Sequence, residues 1–254
     1  MIERNVNILK YIDFGESFFL FGGRGTGKSS LLQSLLDTRK NKLCFDLLES
    51  SQFTRYLINP SLMKEEIELA LKKSSEKLII FIDEIQKIPI ILDDIHFLIE
   101  KYKQKVQFIL TGSSARKLKA KGVNLLAGRA LVFSLFPFTV DELGDDFNLY
   151  ETLRFGSLPL IYEKIPEIKI KMLQAYTEIY LREEIKNEAL TRNIQSFSQF
   201  LDLAAQLNGE IVNYSKMGRQ CHTFPNTIIA YYQILFDTLT AIELPAGERS
   251  VKNN

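Results

Sequence analysis

Short apolar runs alternate with helical patterns through the first half of the chain. Between the runs, leucines recur at helical spacing, as in the stretch 31–36 after the first of them. Five runs are mostly apolar, as strands buried on both faces of a sheet are, and they lie at residues 17–21, 42–46, 77–82, 106–111 and 130–135. This alternation predicts an α/β fold with a five-stranded parallel sheet covered by helices.

No further strand is predicted after Phe138. Residues 141–149, the loop around Gly156 and Pro159, and the amphipathic stretch 167–187 have the pattern of a helical unit.

Three more helices are predicted from Ser196 onward. The first ends at Gly209, Asn213 caps the second, and Pro225 opens the third. Because the turn between the last two is short, this segment is a candidate helix-turn-helix.

Composition places the chain among globular proteins. Of its 254 residues, 46% are hydrophobic and 25% are charged, so disorder is not expected. No apolar run reaches the ~20 residues of a membrane-spanning helix. The first ten residues lack the apolar stretch of a secretory signal, so we expect no membrane partner and a cytoplasmic location.

The cysteines and histidines predict neither a disulfide scaffold nor a zinc site. Cys44, Cys221, His96 and His222 lie in no metal-ligand spacing. Cys44 is expected to be a small buried hydrophobe in the second strand, and both histidines are assigned to packing or to the surface.

Charge is uneven, although the net charge is only +1. Residues 101–129 contain eight bases and no acid, and such a window can be either a nucleic-acid contact surface or an ordinary solvated surface. Residues 220–248 contain no Lys or Arg, so phosphate contacts by the third helix of the helix-turn-helix have no source. DNA binding is possible but is not supported by that helix.

The strongest motif is GGRGTGKS, Gly22 to Ser29, between an apolar strand and a leucine-rich helix. It matches G-x-x-x-x-G-K-[ST], a loop whose backbone N–H groups cradle phosphates. Lys28 is expected to reach the β and γ phosphates of ATP, and the Ser29 hydroxyl to bind Mg²⁺. The residues expected to contact the nucleotide are Gly22, Gly23, Arg24, Gly25, Thr26, Gly27, Lys28, Ser29 and Ser30.

Two carboxylates end the third strand. Asp83 is expected to hold Mg²⁺ beside the loop, because ligands collect at the carboxyl ends of parallel strands. Glu84 is expected to orient or deprotonate the attacking water. The alternative is a solvated turn.

Two further catalytic candidates follow. Ser113, after the fourth strand, is placed to bond the γ phosphate or the water, unless it only caps a helix. Arg129, before the fifth strand, is a candidate for stabilising transition-state charge in its own subunit or in a neighbour's. A surface salt bridge is its alternative role, and Arg116 competes for the same function.

These residues resemble a family of AAA-type ATPases of bacteria and archaea, in which a P-loop core precedes a winged-helix-containing segment of unknown function. The matching stretches, from about Glu16 to Leu244, are FGGRGTGKSS, IDEIQKIP, LTGSSARKL, LLAGR, FGSLP, YLREEI and LAAQLNGEIVNYS.

The resemblance implies an AAA-like core at 1–138, a helical lid at 139–190 and a winged-helix-like domain at 191–244. The residues that follow, 245–254, have the composition of a frayed polar tail. It also implies nucleotide-site roles for Lys28, Ser29, Asp83, Glu84 and Ser113, and makes Arg129 an arginine finger and a point of self-association. The segment from Gly156 to Pro159 looks like a motif that closes over the nucleotide. Family members usually continue into a further domain, so an output module is expected to be absent here.

Two functions are compatible with these features. The first is an ATPase whose cycle moves the lid and the winged-helix domain against the core. The second is a nucleotide-gated module that binds nucleic acid or an unknown protein partner, with slow hydrolysis as a timer.

Overall fold

The computed structural model describes residues 2–113, 118, 126–180 and 194–245. The chain divides into two compact units, Met1–Glu184 and Ile185–Asn254. The predicted domain boundary at 190–191 lies outside the described residues, and so do the last seven positions of the predicted helix 167–187.

A five-stranded parallel sheet organises the first unit, in the order β2-β3-β4-β1-β5. The predicted α/β class is confirmed, and each strand begins and ends within one residue of its predicted bounds. The strands are β1 Phe18–Phe21, β2 Lys42–Asp46, β3 Leu78–Asp83, β4 Val106–Gly112 and β5 Leu131–Ser134.

Burial differs between the middle and the edges of the sheet. Every residue of β1, β3 and β4 is buried, as predicted for strands covered on both faces. In the edge strand β5, however, Leu131 and Val132 are exposed. The expectation that Cys44 is buried is also wrong, because Cys44 lies on the other edge strand, β2, and is exposed.

Helices connect and cover the strands. Those of the first unit are α1 Leu9–Phe14, α2 Lys28–Leu36, α3 Ser50–Ile58, α4 Ser61–Lys73, α5 Ile91–Tyr102, α6 Val140–Leu143, α7 Leu149–Phe155, α8 Pro159–Tyr162 and α9 Pro166–Ala175, with a π-helical turn at Tyr176–Tyr180 and 3₁₀ turns at Ile85–Lys87, Lys103–Lys105, Leu126–Gly128 and Gly144–Asp146.

A buried apolar cluster on one face of the sheet fixes the position of α2. Leu32 and Leu36 of α2 pack with Phe18 and Leu20 of β1, and Ile8 of the N-terminal segment joins them. Burial of such side chains stabilises the fold by about 1.5–3 kcal/mol each. The strand and the helix that flank the phosphate-binding motif are therefore held by one core.

In the second unit the described residues form α10 Ile194–Gln206, α11 Tyr214–Gln220 and α12 Pro225–Asp237. Asn213 caps α11, since its side chain accepts a 2.9 Å bond from the N–H of Lys216, and Pro225 occupies the first turn of α12. Phe200 of α10 packs against Tyr231 and Tyr232 of α12, at centroid distances of 5.2 and 4.9 Å.

The three predicted helices of this unit are therefore present. No strand occurs between 194 and 245, the part of the unit that the structure describes, so the winged-helix assignment stays a prediction. In the described ranges of both units, no helix has the length and apolarity needed to cross a membrane.

Candidate nucleotide site

The motif from Gly22 to Ser29 forms a loop between β1 and α2. Its start is tied to the sheet, because the Gly22 N–H donates a 3.3 Å bond to the carbonyl of Gly112 at the end of β4. Gly27, the residue before α2, has φ +88° and therefore requires glycine. The loop is thus anchored to the sheet at its start and makes a left-handed turn immediately before α2.

Lys28 is buried inside this loop, with only 5% of its surface exposed. Its Nζ donates to the carbonyls of Gly22 at 2.7 Å and Gly23 at 3.2 Å. A second bond, 2.8 Å from Thr26 Oγ1 to the same Gly23 carbonyl, braces the loop. The Lys28 side chain is therefore buried and hydrogen-bonded inside the loop.

The other predicted contact residues line the same loop. Gly22, Gly23 and Thr26 are buried, Gly25, Gly27 and Ser29 are half-buried, and Arg24 and Ser30 are exposed.

Asp83 and Ser29 are hydrogen-bonded to each other at the carboxyl end of the parallel strands. Ser29 Oγ donates a 2.6 Å bond to Asp83 Oδ2, and Thr111 Oγ1 of β4 donates to Asp83 Oδ1. Asp83 is 4% exposed. A hydroxyl and a carboxylate are oxygen ligands of the kind that Mg²⁺ takes together with phosphate, so these two side chains fit a magnesium ion.

Glu84 and Ser113 are brought together by a residue that sequence reasoning left without a role. Gln86 Nε2 donates to Glu84 Oε2 and, at 3.0 Å, to Ser113 Oγ. The main chain of Glu84 is fixed as well, because its N–H donates a 3.1 Å bond to Thr111 Oγ1. Both predicted catalytic side chains therefore lie at the carboxyl ends of β3 and β4, beside Asp83.

Arg129 lies at the amino end of the parallel strands, whereas the phosphate-binding loop lies at their carboxyl end. It precedes β5, which runs parallel to β1 with Leu131 beside Phe18, whereas the phosphate-binding loop follows Phe21. The Arg129 guanidinium donates to Glu100 of α5 and lowers the pKa of that carboxyl below its ordinary value. The contact between Arg129 and Glu100 is a surface salt bridge, which is the alternative role expected for Arg129. Arg116, the competing candidate, lies outside the described residues.

The N-terminal segment supplies a residue that the sequence did not single out. Arg4 donates to Glu142 Oε1 at 3.1 Å, to the Thr26 carbonyl at 3.3 Å and to the Phe136 carbonyl. The side chains of Arg4 and Glu142 are only 8% and 2% exposed. Arg4 thus ties the phosphate-binding loop to the start of α6. A single arginine in a segment of mixed charge gives no sequence signal for this contact.

A cavity of about 860 Å³ opens beside the loop. Its walls come from the N-terminal segment, the loop, α2 and the start of α8, with Val6, Leu9, Thr26, Leu31, Phe138 and Pro159 among the lining residues. Such a volume and a largely apolar wall are typical of small-molecule sites.

The segment from Gly156 to Pro159 leads into a direct contact with the loop. The Leu160 N–H, just beyond it, donates a 3.2 Å bond to the carbonyl of Gly25. Tyr176 OH donates a 3.3 Å bond to the carbonyl of Arg24. Two elements of the helical region after β5 therefore hold successive carbonyls of the phosphate-binding loop.

The positive charge of the window 101–129, a candidate nucleic-acid surface, is partly neutralised by neighbouring acids. Lys101 donates a 2.9 Å bond to Glu68, and this contact raises the pKa of the lysine. In the same window Arg116, Lys117, Lys119 and Lys121 lie outside the described residues. Helix α12 has no basic residue, so the expectation that it does not position DNA phosphates stays in place.

The parallel sheet order and the loop between β1 and α2 define a P-loop NTPase fold. The chain belongs to the AAA domain family, whose model matches residues 15–144. A second model, the domain of unknown function DUF8612, matches residues 146–254. The predicted family resemblance, an AAA-type ATPase core followed by a segment of unknown function, is therefore confirmed.

Two curated relatives are uncharacterized proteins of Mycobacterium bovis and Mycobacterium tuberculosis. Each is 24% identical to this chain over 225 residues, covering 89% of this chain and 48% of the relative. The chain therefore spans about half the length of these relatives.

Solved structures with some similarity include RuvB of Thermotoga maritima, at 13% identity and a TM-score of 0.43, covering 96% of this chain and 91% of that chain. AMPPCP-bound DnaA from Aquifex aeolicus has 15% identity and a TM-score of 0.44, covering 95% and 91%. The fold assignment rests on the sheet and the family model and not on these similarities.

Proposed function

We propose that the protein binds ATP with Mg²⁺ in the loop from Gly22 to Ser29 and hydrolyses it to ADP and phosphate. The single observation that supports this most is the 2.6 Å bond between Ser29 Oγ and Asp83 Oδ2. It joins the last residue of the phosphate-binding motif to a buried carboxylate at the end of β3, and these two oxygen ligands would hold Mg²⁺, which would supply positive charge beside the phosphates.

In this proposal Ser29 and Asp83 hold the metal, and Lys28 contacts the β and γ phosphates. Mg²⁺, when bound, neutralises charge on the phosphate oxygens. The N–H groups of the loop and of the first turn of α2 orient the same oxygens. The buried position of Lys28 supports its role, because a desolvated charge interacts more strongly than one in water.

Glu84 is the proposed general base. Its carboxylate accepts the proton of the attacking water, whose oxygen forms a bond to the γ phosphorus while the bond from that phosphorus to the β,γ-bridging oxygen breaks. Ser113 donates to a γ-phosphate oxygen. The proximity of both side chains to Asp83 supports these roles.

The proposed base site is the cavity beside the loop. Its volume of about 860 Å³ exceeds what an adenosine moiety needs, and the aromatic ring of Phe138 and the side chain of Leu31 offer apolar walls. Arg4 lies in the same wall and holds the Thr26 carbonyl, so it stabilises the loop from the side of the base.

We also propose that the nucleotide cycle moves the helical region after β5. The bonds from Leu160 to Gly25 and from Tyr176 to Arg24 support this coupling, because a change in the loop alters their acceptor carbonyls directly. The boundaries of the lid at 139–190 and of a winged-helix-like module at 191–244, and a cytoplasmic location, belong to the same proposal.

Arg129 is proposed to act on the nucleotide of a second copy of the chain. The position of Arg129 at the amino end of β5 supports action across a subunit boundary, since the loop of its own chain lies beyond the carboxyl end of β1. Arg129 would leave Glu100 to do so. Self-association is therefore part of the proposed mechanism.

Phosphate release from ATP tests the proposal when Lys28→Ala is compared with Lys42→Ala. Lys42 also donates to a backbone carbonyl, that of Leu36 at 2.7 Å, but lies away from the loop. We expect Lys28→Ala to weaken ATP binding about 10- to 150-fold and to abolish turnover. Lys42→Ala should match the wild type. Equal ATP affinity in wild type and Lys28→Ala would contradict the proposal.

A further inference from the structure

Gln86 is a buried glutamine between two proposed catalytic side chains. It lies in the 3₁₀ turn Ile85–Lys87 and is 6% exposed. Its Nε2 uses both N–H groups, one on Glu84 Oε2 and one on Ser113 Oγ at 3.0 Å. Gln86 is thus in direct hydrogen-bond contact with the Glu84 carboxylate.

The chemistry of the two partners fixes the orientation of the amide. An ionised carboxylate can only accept hydrogen bonds, so the nitrogen of Gln86 must face Glu84. The oxygen then points toward β4, and a Cβ at Gly112 would stand 2.5 Å from it. Glycine at position 112 therefore gives the amide the room that it occupies.

Holding Gln86 in this way has a cost. Its Oε1 is buried and has no hydrogen-bond partner within the part of the chain that the structure describes. An unsatisfied buried acceptor destabilises a fold, whereas an apolar side chain of similar size in the same space would not. The amide is thus retained at a cost to stability, at a point where it contacts Glu84 and Ser113.

The backbone of Glu84 adds to this placement. Its φ is +59°, in the left-handed region, and its N–H is bonded to Thr111 Oγ1 at 3.1 Å. The main chain of Glu84 is therefore fixed by β4. The hydrogen bond that the structure describes at the Glu84 carboxylate comes from Gln86.

We propose that Gln86 is a positioning residue that sets the Glu84 carboxylate against Ser113, and so aligns the general base with the γ-phosphate contact. This inference rests on the proposed function for its catalytic consequence, but the placement of Glu84 by Gln86 does not depend on it. Gln86 touches neither ATP nor water in this role. It acts only through Glu84 and Ser113.

Gln86→Leu tests the inference, with Gln107→Leu as the matched control. Gln107 is also a fully buried glutamine with an unpartnered Oε1, and its Nε2 donates to the carbonyls of Tyr11 at 3.1 Å and Glu16 at 2.8 Å. It lies near the opposite end of β4 from Ser113. A loss of hydrolysis that comes only from general destabilisation of the fold should appear in both variants.

Steady-state hydrolysis and ATP binding are measured on the full chain. We expect Gln86→Leu to lower kcat about 100-fold, the scale of a small misplacement of a catalytic group, and to leave the Kd for ATP within about twofold. Gln107→Leu should keep kcat within about twofold. If Gln86→Leu does not fold, Gln86→Met fills the same space with a more adaptable side chain and has the same expected kcat. An unchanged kcat in the folded variant overturns the inference.

A crystal structure of the nucleotide-free variant separates this inference from the proposed function. We expect the Glu84 carboxylate of Gln86→Leu to leave its place beside Ser113, while the loop around Lys28 is unchanged. A Glu84 carboxylate that keeps its place without Gln86 overturns the inference, even in an active enzyme. Failure of the wild type to bind or hydrolyse ATP overturns the proposed function instead.

Discussion

Ser29 Oγ and Asp83 Oδ2 are 2.6 Å apart although 54 positions separate them in the chain. The sheet order explains the contact. Strand β4 lies between β1 and β3, and its Thr111 donates to the other oxygen of Asp83. The loop after β1 and the carboxylate at the end of β3 therefore meet over the end of β4, as expected at the carboxyl edge of a parallel sheet.

Glu84→Gln should separate binding from hydrolysis. Removing a general base typically costs 10²- to 10⁴-fold in rate, while the glutamine keeps the size of the side chain. We expect ATP affinity within about twofold of wild type and phosphate release lowered by at least about 100-fold. Glu76→Gln, an exposed site before β3, is the control. Turnover that persists in Glu84→Gln would mean that another group activates the water.

Arg129 should act in trans. Mixing Lys28→Ala with Arg129→Ala should restore part of the activity, because a mixed assembly contains sites with an intact loop and an intact arginine from a neighbour. Lys101→Ala removes another salt-bridged base of the same window and should leave activity unchanged. Phosphate release from the mixture, followed against the ratio of the two proteins, is the measurement. No gain at any ratio would count against a shared site.

Arg4 should stabilise the first unit. Arg4→Ala leaves the nearly buried Glu142 carboxylate without its cation, and breaking such a pair costs about 3 kcal/mol. Arg39→Ala, which removes a more exposed pair with Asp13, should cost less than about 1 kcal/mol. Urea denaturation measures both.

The double variant Arg4→Ala/Glu142→Ala sharpens this prediction. It should be less destabilised than the sum of the two single changes, since neither charge is then left alone. Strict additivity of the single changes would show that Arg4 and Glu142 do not interact.

The strands and the phosphate-binding loop were predictable because their signals are local. An apolar run that ends in a glycine-rich turn gives both the strand β1 and the loop, and the bounds of β3 follow from its apolar residues and Asp83. The exposure of Cys44 was not predictable, since an apolar strand shows no sign of whether it will lie at the edge of a sheet.

The remaining parts of the site depend on contacts between distant positions. Arg4 meets Glu142 across 138 positions, and Gln86 meets Ser113 across 27. Neither residue belongs to a motif with a recognised spacing. Only the order of the strands brings these groups together, and the sequence pattern predicts five strands without predicting that order.

The metal dependence of ATP binding tests the central claim, a triphosphate in the loop whose metal is shared by Ser29 and Asp83. Calorimetric titration of ATP, with and without Mg²⁺, is compared for wild type, Asp83→Asn and Asp46→Asn. Asp46 is the control because it ends β2 and lies beside Asp83 in the sheet register. We expect Mg²⁺ to tighten ATP binding in wild type and Asp46→Asn, and to have little effect in Asp83→Asn. An equal effect of Mg²⁺ in all three proteins would contradict the account.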